Sequence, residues 1–240
     1  MSNRLAFLLN SCLRFVHQGF SRALSQPCLL CGKRVHGGPL CTACLGDLPR
    51  LPATRCPLCA MPTPLGEVCG ACLKRPPAFD RCRAVLAYAH PTDVLVQRLK
   101  YGGELALAGF LADLLIAEID TAILPDLILP MPLHPRRLGE RGFNQAVEIG
   151  RALSARLNVP LAINLCRRIR DTPAQVGLDL AERRRNLRGA FHCDTRHQGL
   201  RVALVDDVMT SGTSLDELAR AVRRAGASGV EAWVVARTLR

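Results

Sequence analysis

Lysine is scarce in this chain: of 32 basic residues only Lys33, Lys74 and Lys100 are lysines, and the rest are arginine. Aromatic residues make up only 4%, with Trp233 the one tryptophan. A base-stacking platform for single-stranded nucleic acid is therefore poorly supplied. Apolar runs are broken by Arg, Asp or Pro, short of the roughly 18–20 residues that a membrane span needs. No transmembrane segment is expected. The N-terminal stretch carries Arg4, Arg14 and His17 among apolar positions, and no small-residue cleavage site follows. A secretory signal is not expected, and the chain reads as cytoplasmic. Leu5, Leu9, Leu13 and Val16 recur at helical spacing, which predicts an amphipathic helix within 1–26.

The 240 residues are 49% apolar, enough to bury one α/β domain of ordinary size plus a small appendage. The formal net charge is +12. Much of it is local: from Leu133 to Arg201 there are 14 arginines against 6 acids, a charge of +8. Such a region suits a polyanion, either nucleic acid or a small ligand carrying several phosphates. A solvated basic surface is the bland alternative.

Cysteine is abundant, with 12 residues. Eight form pairs: Cys28 with Cys31, Cys41 with Cys44, Cys56 with Cys59, and Cys69 with Cys72. The second four repeat the first at an offset of 28 residues. Each C-x2-C turn lets two sulfurs reach one metal, and two facing turns close a tetrahedral shell at about 2.3 Å. Pairing within each repeat predicts two structural zinc sites, Cys28/Cys31/Cys41/Cys44 and Cys56/Cys59/Cys69/Cys72. Interleaved ligation is the weaker option, because the spacers can fold back as short hairpins. Disulfides need an oxidising compartment, and iron–sulfur ligation uses other spacings. Closed shells leave no open position, so these metals should fold the module over 27–74 and not catalyse. Cys12, Cys82, Cys166 and Cys193 are expected to be ordinary core or surface residues.

Lys74–Phe79 reads as a linker stiffened by Pro76 and Pro77. Beyond it, over 80–240, strands alternate with helices. Strands are expected at Arg83–Ala89, Asp126–Leu133, Arg201–Val205 and Glu231–Ala236. Helices are expected at Thr92–Tyr101, Leu105–Ile119, Gln145–Leu157 and Ser214–Ala225, the last ending at Gly226. This order implies a parallel sheet covered by helices on both sides, with ligands at the carboxyl ends of its strands.

After the apolar strand at Val202–Val205 come Asp206 and Asp207, then Val208-Met209-Thr210-Ser211-Gly212-Thr213-Ser214, then a helix. Small hydroxyl residues around a glycine let backbone N–H groups converge on one anion, and the helix N-terminus adds partial positive charge. Thr210, Ser211, Thr213 and Ser214 add hydroxyl donors. The two carboxylates would repel that anion unless they hold sugar hydroxyls or a divalent cation. A ribose 5-phosphate meets both needs. An Asx turn capping a helix would explain one hydroxyl, not the whole pattern. The segment resembles the phosphoribosyl pyrophosphate motif of type I phosphoribosyltransferases.

Two further runs are specific. One is Pro130-Met131-Pro132-Leu133, then Arg136-Arg137-Leu138 and Arg141-Gly142-Phe143-Asn144-Gln145. The other is Arg168-Ile169-Arg170-Asp171-Thr172-Pro173-Ala174-Gln175, followed by Leu178, Arg183, Asn186 and Ala190-Phe191. Together with the paired cysteines they resemble the ComF family, the GntX-like competence proteins, from Cys28 to the end. The resemblance implies a type I phosphoribosyltransferase fold after a double zinc ribbon, binding phosphoribosyl pyrophosphate with Mg²⁺. Asp206 and Asp207 would hold the ribose, and Arg136, Arg137 and Arg141 the pyrophosphate. It implies a part in DNA uptake during natural transformation, or in nucleotide-related metabolism, with single-stranded DNA and competence-machinery proteins as partners. The activity would be phosphoribosyl transfer, or else non-catalytic nucleic-acid binding or phosphoribosyl sensing. Thr172–Arg185 is polar and arginine-rich without a steady period, which fits a lid over an anionic ligand.

Overall fold

The computed structural model describes residues 25–171, 180–194 and 198–239. The expected N-terminal helix, Cys12 and most of the expected lid fall outside them. By packing, the chain divides after Leu48 into two compact units. The boundary falls inside the double ribbon expected over 27–74, so the second cysteine group belongs to the α/β unit.

The smaller unit pairs β1 (Ser25–Pro27) antiparallel with β2 (Arg34–His36). A single turn, α1 (Thr42–Gly46), follows Cys41. Its core is small and its strands largely exposed. This is the composition in which bound metal must supply folding free energy.

The larger unit begins with the second cysteine group and α2 (Gly70–Lys74). Then come β3 (Arg81–Ala87), α3 (Thr92–Tyr101), α4 (Ala106–Ile116), β4 (Leu127–Pro130), α5 (Pro135–Arg141) and α6 (Gln145–Leu157). They are followed by β5 (Cys166–Arg168), α7 (Leu180–Leu187), β6 (Phe191–Cys193), β7 (Arg201–Met209), α8 (Thr213–Arg224) and β8 (Gly229–Arg237). Four strands form one parallel sheet in the order β3-β8-β7-β4. Each is a nearly continuous apolar run, as a sheet buried on both faces requires. Alternate side chains go to opposite faces. Ala84, Leu129, Leu204 and Val234 share one core cluster with Leu215, Leu218 and Val222 of α8. Helices α4 and α6 pack on each other and on the sheet. A Cβ at Gly150 of α6 would stand 2.9 Å from Leu161 and 3.7 Å from Ile128, so glycine lets this helix approach β4 closely. The α/β class expected from the sequence is the class that forms.

Two departures matter. First, β7 does not stop at Val205 but runs to Met209, so both aspartates sit within a paired strand. Second, Cys166 and Cys193 are not ordinary residues: they face each other across the β5–β6 pair and are joined as a disulfide, with Cα atoms 4.1 Å apart. Nothing in a separation of 27 residues announces a pairing that only the β5–β6 register creates. Cys82 does behave as expected, free and buried in the core.

Candidate functional site

The loop between β7 and α8 closes on itself. Gly212 adopts φ +77°, the left-handed region, and caps α8. A Cβ there would meet Met209 Sδ at 3.3 Å. Thr213 N–H donates to Ser211 Oγ at 3.4 Å, and the Ser211 and Thr213 hydroxyls lie 2.8 Å apart. The first-turn N–H groups of a helix lack intrahelical acceptors, so this end of α8 presents donors beside hydroxyls. A twelve-residue helix adds its dipole there.

Asp206 and Asp207 approach the loop from β7. Each carboxylate accepts the N–H of the next residue: Asp207 N–H donates to Asp206 Oδ1 at 2.9 Å, and Val208 N–H to Asp207 Oδ1 at 2.7 Å. Asp207 is buried, 3% exposed. Lys100 Nζ lies 2.9 Å from its Oδ2 as an ion pair. Burial works against the Lys100 charge, but the Asp207 carboxylate outweighs it and holds the ammonium protonated. Burial, then the Asp207 charge, pushes Asp206 up to about 8. The two adjacent carboxyl groups thus have one ammonium at hand, paired with Asp207. Their oxygens are the ligands that Mg²⁺ takes.

The run Pro130–Gln145 builds the neighbouring corner. Leu133 and His134 lead into α5, and His134 Nδ1 accepts from Arg136 N–H at 3.4 Å. Gly142, at φ +79°, ends α5. Asn144 caps α6 through Ala146 N–H at 3.0 Å, while its Nδ2 donates to the Met131 carbonyl at 3.0 Å. Arg141 donates to Gln145 Oε1 at 2.6 Å and lies over the Tyr101 ring, 5.2 Å from its centre. That places Arg141 against the residue next to Lys100. Arg136 is exposed and paired with Asp171 at 2.9 Å.

Arg137 is partly buried and close enough to lower the pKa of Arg168. Burial is the larger cause of that shift; Asp171 and Asp206 oppose it. Asp206 and Asp207 thus stand at the loop with Lys100 beside them, while Arg137 and Asp206 are each near enough to Arg168 to act on its charge and Arg141 lies over Tyr101. Arg136 points to a carboxylate of its own.

Lys100 and Arg237 are not among the site residues expected from the sequence, and Arg168 stands there only as the start of a signature run. Lys100 carries a weak signal, as one of just three lysines in the chain. Arg237 is buried at the end of β8 and donates to the Met209 carbonyl at 2.9 Å, at the root of the loop.

The two cysteine groups assemble as sequential sets, Cys28/Cys31/Cys41/Cys44 and Cys56/Cys59/Cys69/Cys72, with all sulfurs of a set within 4.8 Å of one another. Cys31 and Cys41 sulfurs lie 3.7 Å apart, and those of Cys59 and Cys69 3.6 Å. A tetrahedron of sulfurs about 2.3 Å from a zinc ion has edges of about 3.8 Å, so the sets fit that ion. Their acid–base behaviour agrees. Burial opposes ionisation of Cys28, but backbone N–H groups overcome it and draw the thiol down to about 6. Cys44 is pushed up by its contacts with Cys41 and Cys31. Four such thiols ionise together only around a cation. The arrangement has the composition and geometry of a zinc ribbon, used twice.

Among the described residues, no helix is long and apolar enough to cross a membrane.

Known proteins place these features. The double zinc ribbon domain family matches residues 21–73. Competence protein F of Haemophilus influenzae is 32% identical over 88% of this chain and 90% of its own. The DNA utilization protein YhgH of Escherichia coli O157:H7 is 36% identical over 83% of this chain and 91% of its own. That of Salmonella typhimurium is 35% identical over the same shares. Likeness to solved structures is weaker. A purine phosphoribosyltransferase from Pyrococcus horikoshii gives a TM-score of 0.30 at 19% identity, over 65% of this chain and 87% of that one. The glutamine phosphoribosylpyrophosphate amidotransferase of B. subtilis gives 0.35 at 20%, over 53% of this chain and only 25% of that one. With two relatives above 30% identity along nearly their whole lengths, the chain belongs to the ComF family of competence protein F and the DNA utilization protein YhgH.

Proposed function

We propose that this chain binds phosphoribosyl pyrophosphate, or a related ribose phosphate, together with Mg²⁺, and serves the uptake or use of DNA. One observation carries the first part: Asp206 and Asp207 stand side by side at the end of β7, against a hydroxyl-rich loop that opens a helix. The 5-phosphate lies at Ser211–Ser214, held by N–H groups, hydroxyls and the helix dipole. The ribose hydroxyls and Mg²⁺ go to Asp206 and Asp207. Lys100 holds the Asp207 charge in the free protein and is the cation that Mg²⁺ must displace or share with. Arg137 and Arg141 face the pyrophosphate, and Arg168 joins them. Arg136 contributes once it leaves Asp171. The names of the relatives support the second part, since they describe competence and DNA utilization.

Were transfer to occur, the departing pyrophosphate would leave positive charge on the ribose, and these carboxylates and guanidiniums would stabilise the separating charges. Mg²⁺, when bound, neutralises the pyrophosphate oxygens.

Titration calorimetry with phosphoribosyl pyrophosphate and Mg²⁺ tests the site. Binding is expected for the wild-type chain and lost in the double variant Asp206→Asn, Asp207→Asn; unchanged binding in that variant sinks the assignment.

A second reading, direct binding of single-stranded DNA, rests on a separate feature. A groove of about 530 Å³ beside Thr213 is lined by five arginines, Arg75, Arg185, Arg188, Arg220 and Arg224, against two acids, Asp216 and Glu217, which pair with Arg220 and Arg224. Replacing Arg220 and Arg224 by Ala should weaken DNA binding and flatten its salt dependence. Replacing Arg136, Arg137 and Arg141 by Ala separates the two readings, because only ligand binding should depend on them.

A further inference from the structure

Arg237 is a cation buried at the end of β8, 5% exposed. Its guanidinium grips two places at once. Nε donates to the carbonyl of Cys59 at 2.9 Å, inside the second thiolate set. Nη1 donates to the carbonyl of Met209 at 2.9 Å, to that of Thr210, and to that of Thr238 at 2.8 Å. Met209 ends β7 and Thr210 opens the phosphate loop. One side chain therefore clamps the backbone of a metal-ligand residue to the root of the loop.

Other ties run the same way. Ala78 N–H donates to Asp216 Oδ1 in the first turn of α8 at 2.7 Å, and Arg223 Nε to the Ala78 carbonyl at 2.6 Å. Cys82 N–H donates to the Pro57 carbonyl at 2.9 Å, between Cys56 and Cys59. A cavity of about 350 Å³ lies between ribbon and loop, with Cys59, Cys72, Ser211 and Arg237 among its walls.

We infer that the second thiolate set is a working part of the phosphate loop, with Arg237 as the positioning residue between them. A metal held by Cys56, Cys59, Cys69 and Cys72 fixes the Cys59 carbonyl, and Arg237 passes that position to residues 209 and 210. A divalent ion among four thiolates also leaves the set net negative, which favours a guanidinium buried beside it. Metal binding and anion binding at the loop then reinforce each other, and the coupling is reciprocal.

The test uses the full-length zinc-loaded protein. Amide hydrogen exchange is followed over residues 209–214 in wild type, Arg237→Gln, a second-set variant (Cys69→Ser with Cys72→Ser) and a first-set variant (Cys41→Ser with Cys44→Ser). Loss of one such hydrogen-bonded clamp should speed exchange in the loop about tenfold. That rise is expected in Arg237→Gln and in the second-set variant, without further increase when they are combined. The first-set variant should leave the loop unchanged, and Arg237→Lys should recover only part of the protection, since one ammonium cannot span both grips.

Exchange unaltered by loss of the second set, or effects that add, would overturn the coupling. Should the second-set variant not fold, timed chelation of wild type makes the same comparison. Loop protection lost as that set releases its metal supports the inference, and protection that persists afterwards defeats it. The ligand arm rests on the phosphoribosyl reading: ribose 5-phosphate should bind more weakly to Arg237→Gln and to the second-set variant by equal, non-additive factors. If wild type does not bind ribose 5-phosphate, that reading falls, while the exchange comparison still decides the coupling.

Discussion

Asp206 sets a pH dependence that can be worked out by sign. Burial and the Asp207 charge raise it to about 8, whereas an aspartate in an unfolded chain ionises near about 3.9. Between those values the folded chain keeps a proton that the unfolded chain has lost. Stability therefore falls as pH rises through that window and is highest below it. Asp206→Asn removes the titration. Thermal melts should show the wild type losing ground to this variant from about pH 5 to about pH 8, and a constant difference would mean that Asp206 is not raised. Mg²⁺ competes with the same proton, so its affinity should climb across the same range. At the ligand, each lost charge-assisted hydrogen bond is worth about 1.5–3 kcal/mol, so Asp206→Asn alone should weaken ribose-phosphate binding by at least about tenfold. The sequence singled out these two carboxylates but not their counter-ion, Lys100. Lys100 reaches Asp207 only because α3 ends beside β7, and no spacing between positions 100 and 207 encodes that.

At the scale of elements, the loop depends on Gly212 and the β5–β6 pair on its disulfide. Left-handed backbone costs a side chain roughly 1–2 kcal/mol, and a Cβ at Gly212 would also press on Met209. Gly212→Val should lower the melting temperature by a few degrees and abolish phosphate binding, as read by calorimetry. The bond between Cys166 and Cys193 closes a segment of 27 residues, for which chain entropy predicts about 3–4 kcal/mol. Protein prepared without reductant should carry both thiols blocked to alkylation by mass spectrometry, and Cys166→Ser should lower its stability to denaturant. Periodicity made the helices and central strands legible, because each buries a face or both faces. It missed the antiparallel β5–β6 pair, since strands as short as Cys166–Arg168 and Phe191–Cys193 have no period to read. The Arg141–Gln145 run was legible as a signature, and the structure gives its parts work: Gly142 ends α5, Asn144 starts α6 and ties down Met131.

For the whole molecule, metal and charge are the governing quantities. Metal analysis of protein purified without added zinc should find two ions per chain, one for each cysteine set; a single ion would contradict that geometry. The net charge of +12 makes any nucleic-acid contact salt-dependent, with affinity falling as phosphate counterions compete. Trp233, the one tryptophan, is buried in β8 with its Nε1–H donated to Glu231 at 2.9 Å, so it offers no base-stacking surface. Binding to DNA would then rest on arginine and phosphate more than on aromatic rings.

Residue order alone made readable the two cysteine sets, the α/β alternation, and a strand leading through two acids into a hydroxyl-rich turn and a helix. These are local: C-x2-C turns, apolar runs and a strand–acid–hydroxyl–glycine order each specify their geometry within a few residues. Folding of the whole chain decided that the second ribbon is built into the α/β unit, that Cys166 meets Cys193, that Lys100 pairs with Asp207, and that Arg237 reaches the root of the loop. Those meetings join positions far apart along the chain, and they follow from which strand lies beside which, a choice made by packing the whole sheet.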